Sequence, residues 1–338
     1  MKTRLPWIDI VKVICIICVY IVHTENFTRT NTILSILASP FYVNAFFFTN
    51  GYLLYKKYLH SNFASTNSLT TLKTRILNCV YKLAIPTIIF SAILYLPKKF
   101  FNNQSFDFQT FLIEIFGGVS FWFTSALFIA QITILILFMT KRKNILFYLI
   151  LTGIIFITLQ TFCDFTSQPA INYFPWFWRT GLIYTFIMTI GGMYAKYEDK
   201  INIWYLIVLV CASIIGYYMI YTKEIVSCLG LSGRCDVIGF ITSLSTTIII
   251  TKAAKCLKTN HLLTFVGKNS IIFYFLSGAI PALVSTIIMR INITGAYLLL
   301  TTFILSFICS YIFTYIIVKY FSFLIDIRLI NKNDTPQA

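Results

Sequence analysis

The chain has 338 residues, of which 58% are hydrophobic and only 11% are charged, and its mean hydropathy is +0.80. A soluble chain carries about 25% charged residues. The composition therefore excludes a cytosolic enzyme, a disordered protein and a fibrous protein, and it predicts a polytopic membrane protein built from spans of about 20 residues.

Ten apolar segments predict ten transmembrane helices, and so an all-α integral membrane bundle. We expect a single membrane domain over residues 1–330 and a short polar cytoplasmic tail at 331–338. The eighth segment is the shortest and is rich in Thr and Ser. The first is expected to stay as a span, because it carries Lys12 and His23 and no small-residue cleavage site follows it. In chain order the segments are 5–24, 33–55, 76–96, 115–139, 145–162, 176–195, 202–221, 237–251, 270–289 and 296–318.

The net charge of +16 follows the predicted topology. With a cytoplasmic N-terminus, eighteen of the 27 Lys and Arg residues fall on the cytoplasmic side of the segments and seven on the other side. This is the bias of the positive-inside rule. We therefore expect both termini in the cytoplasm. No nucleic-acid partner is expected, since the sequence has no Gly-rich phosphate loop, basic aromatic ribbon or zinc-ligand spacing.

Two features lie in the predicted extracytoplasmic connections. The aromatic segment 172–178 is interpreted as an interfacial belt, with a sugar-stacking surface as the alternative. Cys228 and Cys235 share one connection, where they would either close a disulfide in an oxidising compartment or remain free thiols.

The first segment holds the ionisable residues that are most costly to place in a membrane. Lys12 and His23 are 11 residues apart, which is about three helical turns, so they share one helix face at about 16 Å along the axis. Asp9 lies on the same face, three residues before Lys12, and could pair with it. A cation and an imidazole on one face indicate an internal polar cavity rather than a lipid-facing surface.

His23 is the candidate catalytic residue, because an imidazole titrates near neutral pH and can take a proton from an alcohol. It could also act as a nucleophile through an acyl-imidazole intermediate. The alternatives are a hydrogen-bonded structural histidine and, for Lys12, a side chain that snorkels to the cytoplasmic face. No metal is expected, since no second His or carboxylate has usable spacing near His23.

A second basic group, Lys73, Arg75 and Lys82, opens the third segment on the predicted cytoplasmic side. It could bind an anion with several phosphates through charge and bidentate Arg contacts. The alternative is ordinary positive-inside anchoring.

Several motifs, taken in order, resemble the membrane-bound acyltransferase family 3, the integral-membrane O-acyltransferases. The spacing Lys12-x10-His23 resembles the family's Arg/Lys-x10-His signature. Further similar stretches are FFFTNGYLLYKK from Phe46, RILNCVYKLAIP from Arg75, FWFTSALF from Phe121 and FVGKNSIIFYFLS from Phe265. The resemblance covers about residues 1–320. The sequence departs from the family pattern at Asn50, which replaces a usual Ser, and at Ser277, where many members have His.

The resemblance implies transfer of an acyl group, usually acetyl, from cytoplasmic acyl-CoA to a sugar hydroxyl of a cell-surface or lipid-linked glycan, at the inner (plasma) membrane. It places His23 as the catalytic residue, Lys12 on the donor side, and Lys73, Arg75 and Lys82 in the donor-binding run. Acetyl-CoA would be a substrate and no bound cofactor is implied. The alternative is a polytopic transporter or flippase for a glycan or a small anionic solute, which would also place polar residues at mid-membrane.

Overall fold

The computed structural model of the chain describes residues 4–30, 32–58, 69–101, 105–138, 144–162, 175–222, 236–291 and 293–329. All regular structure in these ranges is helical, which confirms the all-α prediction. Cys228, Cys235, residues 172–174 and the tail 331–338 lie outside the described residues.

Fourteen α-helices can be numbered along these ranges. They are α1 (Pro6–Thr28), α2 (Ile33–Ala38), α3 (Tyr42–Tyr58), α4 (Leu69–Cys79), α5 (Ile85–Phe101), α6 (Phe108–Phe116), α7 (Trp122–Phe138), α8 (Ile145–Phe162), α9 (Trp178–Tyr197), α10 (Ile203–Tyr221), α11 (Val237–Cys256), α12 (His261–Lys268), α13 (Ser270–Met289) and α14 (Gly295–Tyr320). Short 3-10 turns follow at Glu198–Lys200, Ser322–Leu324 and Ile327–Leu329.

Seven helical stretches of the described chain are long and apolar enough to cross a membrane, and α7 and α8 are shorter apolar helices. The 20-residue helix α9 corresponds to the sixth predicted segment. Every predicted segment therefore contains a helix, and the protein is a polytopic helical membrane protein.

Two predicted segments are interrupted. Segment 33–55 divides into α2 and α3 at Pro40, whose ring removes a backbone hydrogen-bond donor. Segment 115–139 contains the end of α6 and then breaks until α7 begins at Trp122, because Gly118 between them adopts a positive φ of 69°. At Gly118 an added Cβ would lie 2.6 Å from the Ser125 hydroxyl oxygen.

A π-helical turn, Val80–Ala84, joins α4 to α5 within the third predicted segment. Pro86 has no N–H, so it cannot donate to the Lys82 carbonyl four residues earlier. The helical hydrogen bonds here span five residues instead of four, and the Ile85 amide donates to the Val80 carbonyl. Such turns often occur at functional sites.

The chain forms two compact units. The first comprises Met1–Phe46, Asp199–Gly230 and Arg234–Tyr315, and the second comprises Phe47–Glu198, Leu231–Gly233 and Ile316–Ala338. In the first unit α1 packs against α11, α12 and α13. Gly267 of α12 lies so close to α1 that an added Cβ would be 2.6 Å from the Asp9 carbonyl oxygen. The single-domain extent, residues 1–330, stays a prediction.

In the second unit α9 packs on α7 and α8 and lies in backbone contact with α3. A Cβ at Gly51 would be 1.8 Å from the Met188 carbonyl oxygen, and one at Gly191 would be 2.0 Å from the Phe48 carbonyl oxygen. The glycine of the FFFTNG stretch is therefore required for close helix packing.

Candidate functional site

Helix α1 carries both Lys12 and His23. Pro6 at its start has a φ suited to the first helical turn, and Arg29 ends it in a left-handed conformation, with its N–H donating to the Glu25 carbonyl. Most of the residues between these ends are buried, as expected of a helix surrounded by its neighbours. The central position of α1 makes its polar side chains internal groups of the first unit.

Lys12 and His23 are both half-buried, although protein atoms surround each side chain on nearly all sides. Each side chain is therefore enclosed by protein without being fully buried. Three helical turns separate them, and they share one face of α1, as the spacing predicts. This arrangement is that of an internal polar site.

Asp9 pairs with Arg4 and not with Lys12, which corrects the expectation from spacing. The guanidinium donates twice, from Nε to Oδ2 at 2.7 Å and from Nη2 to Oδ1 at 2.9 Å. A planar fork matches a carboxylate better than an ammonium does, and these hydrogen bonds raise the pKa of Arg4. Over the described ranges, the Lys12 ammonium has no hydrogen bond and no ion pair within 4.0 Å.

The His23 ring stacks on Phe27, with 6.3 Å between ring centroids. Neither ring nitrogen has a hydrogen-bond partner among the residues that the structure describes. An imidazole that is only partly buried and has an unoccupied nitrogen is available to accept a proton from a bound molecule.

Tyr20, one turn before His23, fixes α1 against two other helices. Its hydroxyl lies 2.6 Å from Ser310 Oγ on α14 and 3.1 Å from the Phe273 carbonyl oxygen on α13, within hydrogen-bond distance of both. Its ring meets Phe307 edge-on at 5.5 Å. The sequence analysis missed this contact, since no local pattern relates residues 290 positions apart.

The C-terminal end of α1 is fixed by Glu25, which is 3% exposed. Its carboxylate accepts hydrogen bonds from the Thr32 amide at 3.3 Å and from the Thr32 hydroxyl. The same threonine caps α2 by accepting from the Leu34 amide. Glu25 therefore ties α1 to α2, a structural role that explains its burial.

The second candidate group lies in the second unit. Lys73 and Arg75 are on α4, and Lys82 is on the π turn; the two lysines are exposed and Arg75 is half-buried. The fold thus brings the three cations onto one continuous helical stretch. Exposed cations of this kind suit charge contacts with a solvated anion.

Arg328, which the sequence analysis did not single out, joins this region. It donates to Asp326 through Nε at 2.7 Å and Nη2 at 2.5 Å, and also donates to the Asn78 side chain. Its guanidinium lies 5.0 Å from the centre of the Tyr81 ring. The hydrogen bonds from Arg328 lower the pKa of Asp326. The segment after α14 is thereby attached beside Lys82.

Ser277, where the family often has His, is 1% exposed and donates to the Tyr274 carbonyl at 2.7 Å. Within the described ranges, no group of three or more His, Cys, Asp or Glu side chains is arranged to hold a metal ion.

Comparison with curated proteins and with solved structures gave no match. The family model described as an acyltransferase domain matches residues 5–319, nearly the whole chain. The match includes α1 with Lys12 and His23, the α4 to α5 stretch, and Ser277. The resemblance noted from the motifs is therefore confirmed, and the chain is a membrane acyltransferase that belongs to acyltransferase family 3.

Proposed function

We propose that this acyltransferase is an O-acyltransferase of the inner (plasma) membrane, which transfers an acyl group from cytoplasmic acyl-CoA to a hydroxyl of a cell-surface or lipid-linked glycan. Acetyl-CoA is the proposed donor. The observation that supports the proposal is that one face of α1 carries both a partly accessible imidazole and an ammonium without an ion-pair partner in the described chain.

In the proposed reaction, His23 takes the proton from the sugar hydroxyl as its oxygen attacks the thioester carbonyl carbon. The C–O bond forms, the C–S bond breaks, and the thiolate of CoA leaves with the proton from the imidazolium. Lys12 supplies positive charge along the path of the donor, where negative charge develops on the carbonyl oxygen and then on sulfur.

The cytoplasmic end of the donor is proposed to rest on Lys73, Arg75 and Lys82. The CoA phosphates carry several negative charges, and a guanidinium can bind a phosphate with two hydrogen bonds. The three side chains lie on adjoining helical turns, and the two exposed lysines can reach a ligand in solvent. This group would determine the affinity for the donor rather than the rate of the chemical step.

Substitution of His23 tests the proposal. Purified wild-type protein should release CoA thiol from acetyl-CoA and transfer labelled acetyl to membrane glycan, and His23→Ala should lower both by about 10²–10⁴-fold. His261→Ala is the matched control, since His261 is exposed at the start of α12 and should leave both rates unchanged.

Three results would each overturn a part of the proposal. Retention of more than about a tenth of the activity by His23→Ala would exclude the residue as general base. A wild-type protein that consumes no acetyl-CoA, but moves a glycan or an anion across vesicles, would be a transporter. Labelled acetyl trapped on His23 by rapid quenching would replace direct transfer with an acyl-imidazole route.

A further inference from the structure

A row of four polar side chains follows one face of α11, the Thr- and Ser-rich eighth predicted segment. Ser243, Thr247, Thr251 and Lys255 are each four residues apart, so they lie one above the other on successive turns. The two ends of the row have partners. Ser243 Oγ accepts a hydrogen bond from Asn44 Nδ2, and the Lys255 ammonium lies 4.9 Å from the centre of the Trp7 ring on α1.

The neighbouring face of α11 is occupied by α10. Ser245 Oγ lies 2.8 Å from Ser213 Oγ, and the Thr246 hydroxyl donates to the same atom at 3.3 Å. An added Cβ at Gly216 would lie 1.6 Å from the Thr242 hydroxyl oxygen, so the two helices are in close contact there. The four-residue row therefore belongs to a different face, the one whose Lys255 contacts α1.

The two middle hydroxyls of the row are unpaired. Thr247 and Thr251 are each 0% exposed, and neither Oγ1 has a hydrogen-bond partner in the part of the chain that the structure describes. Thr242 of the same helix shows the usual arrangement, in which the hydroxyl donates to the carbonyl four residues earlier, at 2.8 Å. A buried hydroxyl without a partner is unfavourable, so Thr247 and Thr251 would gain from a ligand that pairs them.

A second row on α14 has the same spacing and the same property. Its members are Thr302, Ser306, Ser310 and Thr314, all of them 0% exposed. Ser310 pairs with Tyr20 of α1, whereas the other three hydroxyls are without a partner within the described residues. Unpaired hydroxyls thus lie on two of the helices that contact the helix of Lys12 and His23.

The contact between Trp7 and Lys255 gives the depth of the α11 row. Thr251 lies one turn from Lys255, about 6 Å along α11, and Lys12 lies five residues from Trp7, about 7.5 Å along α1. Thr251 is therefore at the level of Lys12, and Thr247 is one turn further from the cytoplasmic end. This is the half of α1 that a donor from the cytoplasm would reach first.

The chemistry of the row matches the chain that links the CoA phosphates to the thioester. That chain is uncharged and carries two amides and one hydroxyl at intervals. A threonine hydroxyl can donate to an amide carbonyl and accept from an amide N–H, and it needs no counter-charge. Two hydroxyls on successive turns, about 6 Å apart, present such groups in line.

We propose that Thr247 and Thr251 form the subsite for the amide-bearing arm of the acyl donor, with the row on α11 as the wall along which the arm lies at the level of Lys12. The row is closed in this structure, and the arm replaces protein contacts when it binds. The proposal rests on the proposed function, since it takes acyl-CoA as the donor.

The experiment compares two probes on purified protein in detergent. Coenzyme A carries the arm, and adenosine 3′,5′-bisphosphate lacks it. In Thr247→Val/Thr251→Val the affinity for coenzyme A should fall about tenfold, as expected from loss of two hydrogen bonds, and the affinity for the bisphosphate should not change. Thr242→Val is the matched control on the same helix and should bind both probes as the wild type does.

Thermal unfolding without ligand gives a second readout. Valine removes an unpaired hydroxyl at nearly constant shape, so the double variant should melt at the wild-type temperature or above it. A lower melting temperature would show that structural water already pairs these hydroxyls and would overturn the proposal. Coenzyme A affinity equal to that of Thr242→Val would overturn it too, while the proposed function would stand. If neither probe binds the wild type, the donor assignment itself fails and the subsite with it.

Discussion

Two regions of the protein carry candidate functional cations that differ in their exposure. On α1, Lys12 is half-buried inside a predicted span and has no ion pair within 4.0 Å in the described chain. On α4 and the π turn, Lys73 and Lys82 are exposed. A charge inside a membrane protein is costly and is retained where it is used, whereas an exposed cytoplasmic cation costs little and also serves topology. Substitutions on α1 should therefore affect the chemical step, and those on α4 should affect affinity.

The largest effect in this comparison is expected at Lys12. Lys12→Ala and Lys12→Glu should lower the rate of transfer by about 10²-fold or more, as for loss of a group that stabilises developing charge. Lys12→Arg should retain more activity, since a cation remains. The measurement is kcat and KM for acetyl-CoA with each variant. Equal losses in all three would show that the position requires a primary amine or a particular size, and would remove support for the electrostatic role.

A smaller effect is expected when the Arg4–Asp9 pair is broken. Arg4→Ala leaves a buried carboxylate three residues from Lys12, and the two should then pair, which withdraws the ammonium from the donor path. We expect a loss of about 1–2 kcal/mol in stability, below the value for a fully buried pair because Arg4 is partly exposed, together with a lower kcat.

The double variant Arg4→Ala/Asp9→Asn is the control, because it removes both charges. It should recover activity relative to Arg4→Ala alone. If the double variant is as impaired as the single one, Arg4 acts on its own and not through Asp9. Thermal unfolding of the wild type, Arg4→Ala, Asp9→Asn and the double variant separates the effect on stability from the effect on kcat.

The sequence predicted the features that depend on local pattern. The apolar runs gave the ten helical segments in order, and an interval of 11 residues placed Lys12 and His23 on one face. Contacts between distant residues were missed, as with Tyr20 and Ser310 or Arg328 and Asn78, because no periodicity relates them. The assignment of Asp9 failed for a related reason. Spacing identifies neighbours on one helix, whereas Arg4, just before the helix, had the better geometry.

The exposed region should give a moderate effect on affinity. Lys73→Ala/Arg75→Ala should raise the KM for acetyl-CoA several-fold, leave kcat near its wild-type value, and make the remaining activity more sensitive to salt. Lys196→Ala is a suitable control, because Lys196 is also an exposed cation of the second unit, at the end of α9. An unchanged KM in the double variant would show that these residues only help to set the membrane topology.

The smallest effect is expected at Arg328. Its substitution distinguishes a residue that attaches the segment after α14 from one that binds the donor. Its guanidinium is already occupied by Asp326 and Asn78, so Arg328→Ala should change the KM for acetyl-CoA less than twofold at neutral pH.

The contribution of Arg328 to stability should instead depend on pH. The pKa of Asp326 is lowered from 3.8 by hydrogen bonds from Arg328, so this stabilisation is present above 3.8 and is lost as the pH falls through the lowered value. Wild type and Arg328→Ala should therefore differ slightly in melting temperature at pH 7 and converge in acid. A rise in KM as large as that of Lys73→Ala/Arg75→Ala would instead make Arg328 a cation of the donor site, and the segment after α14 would then contact the donor.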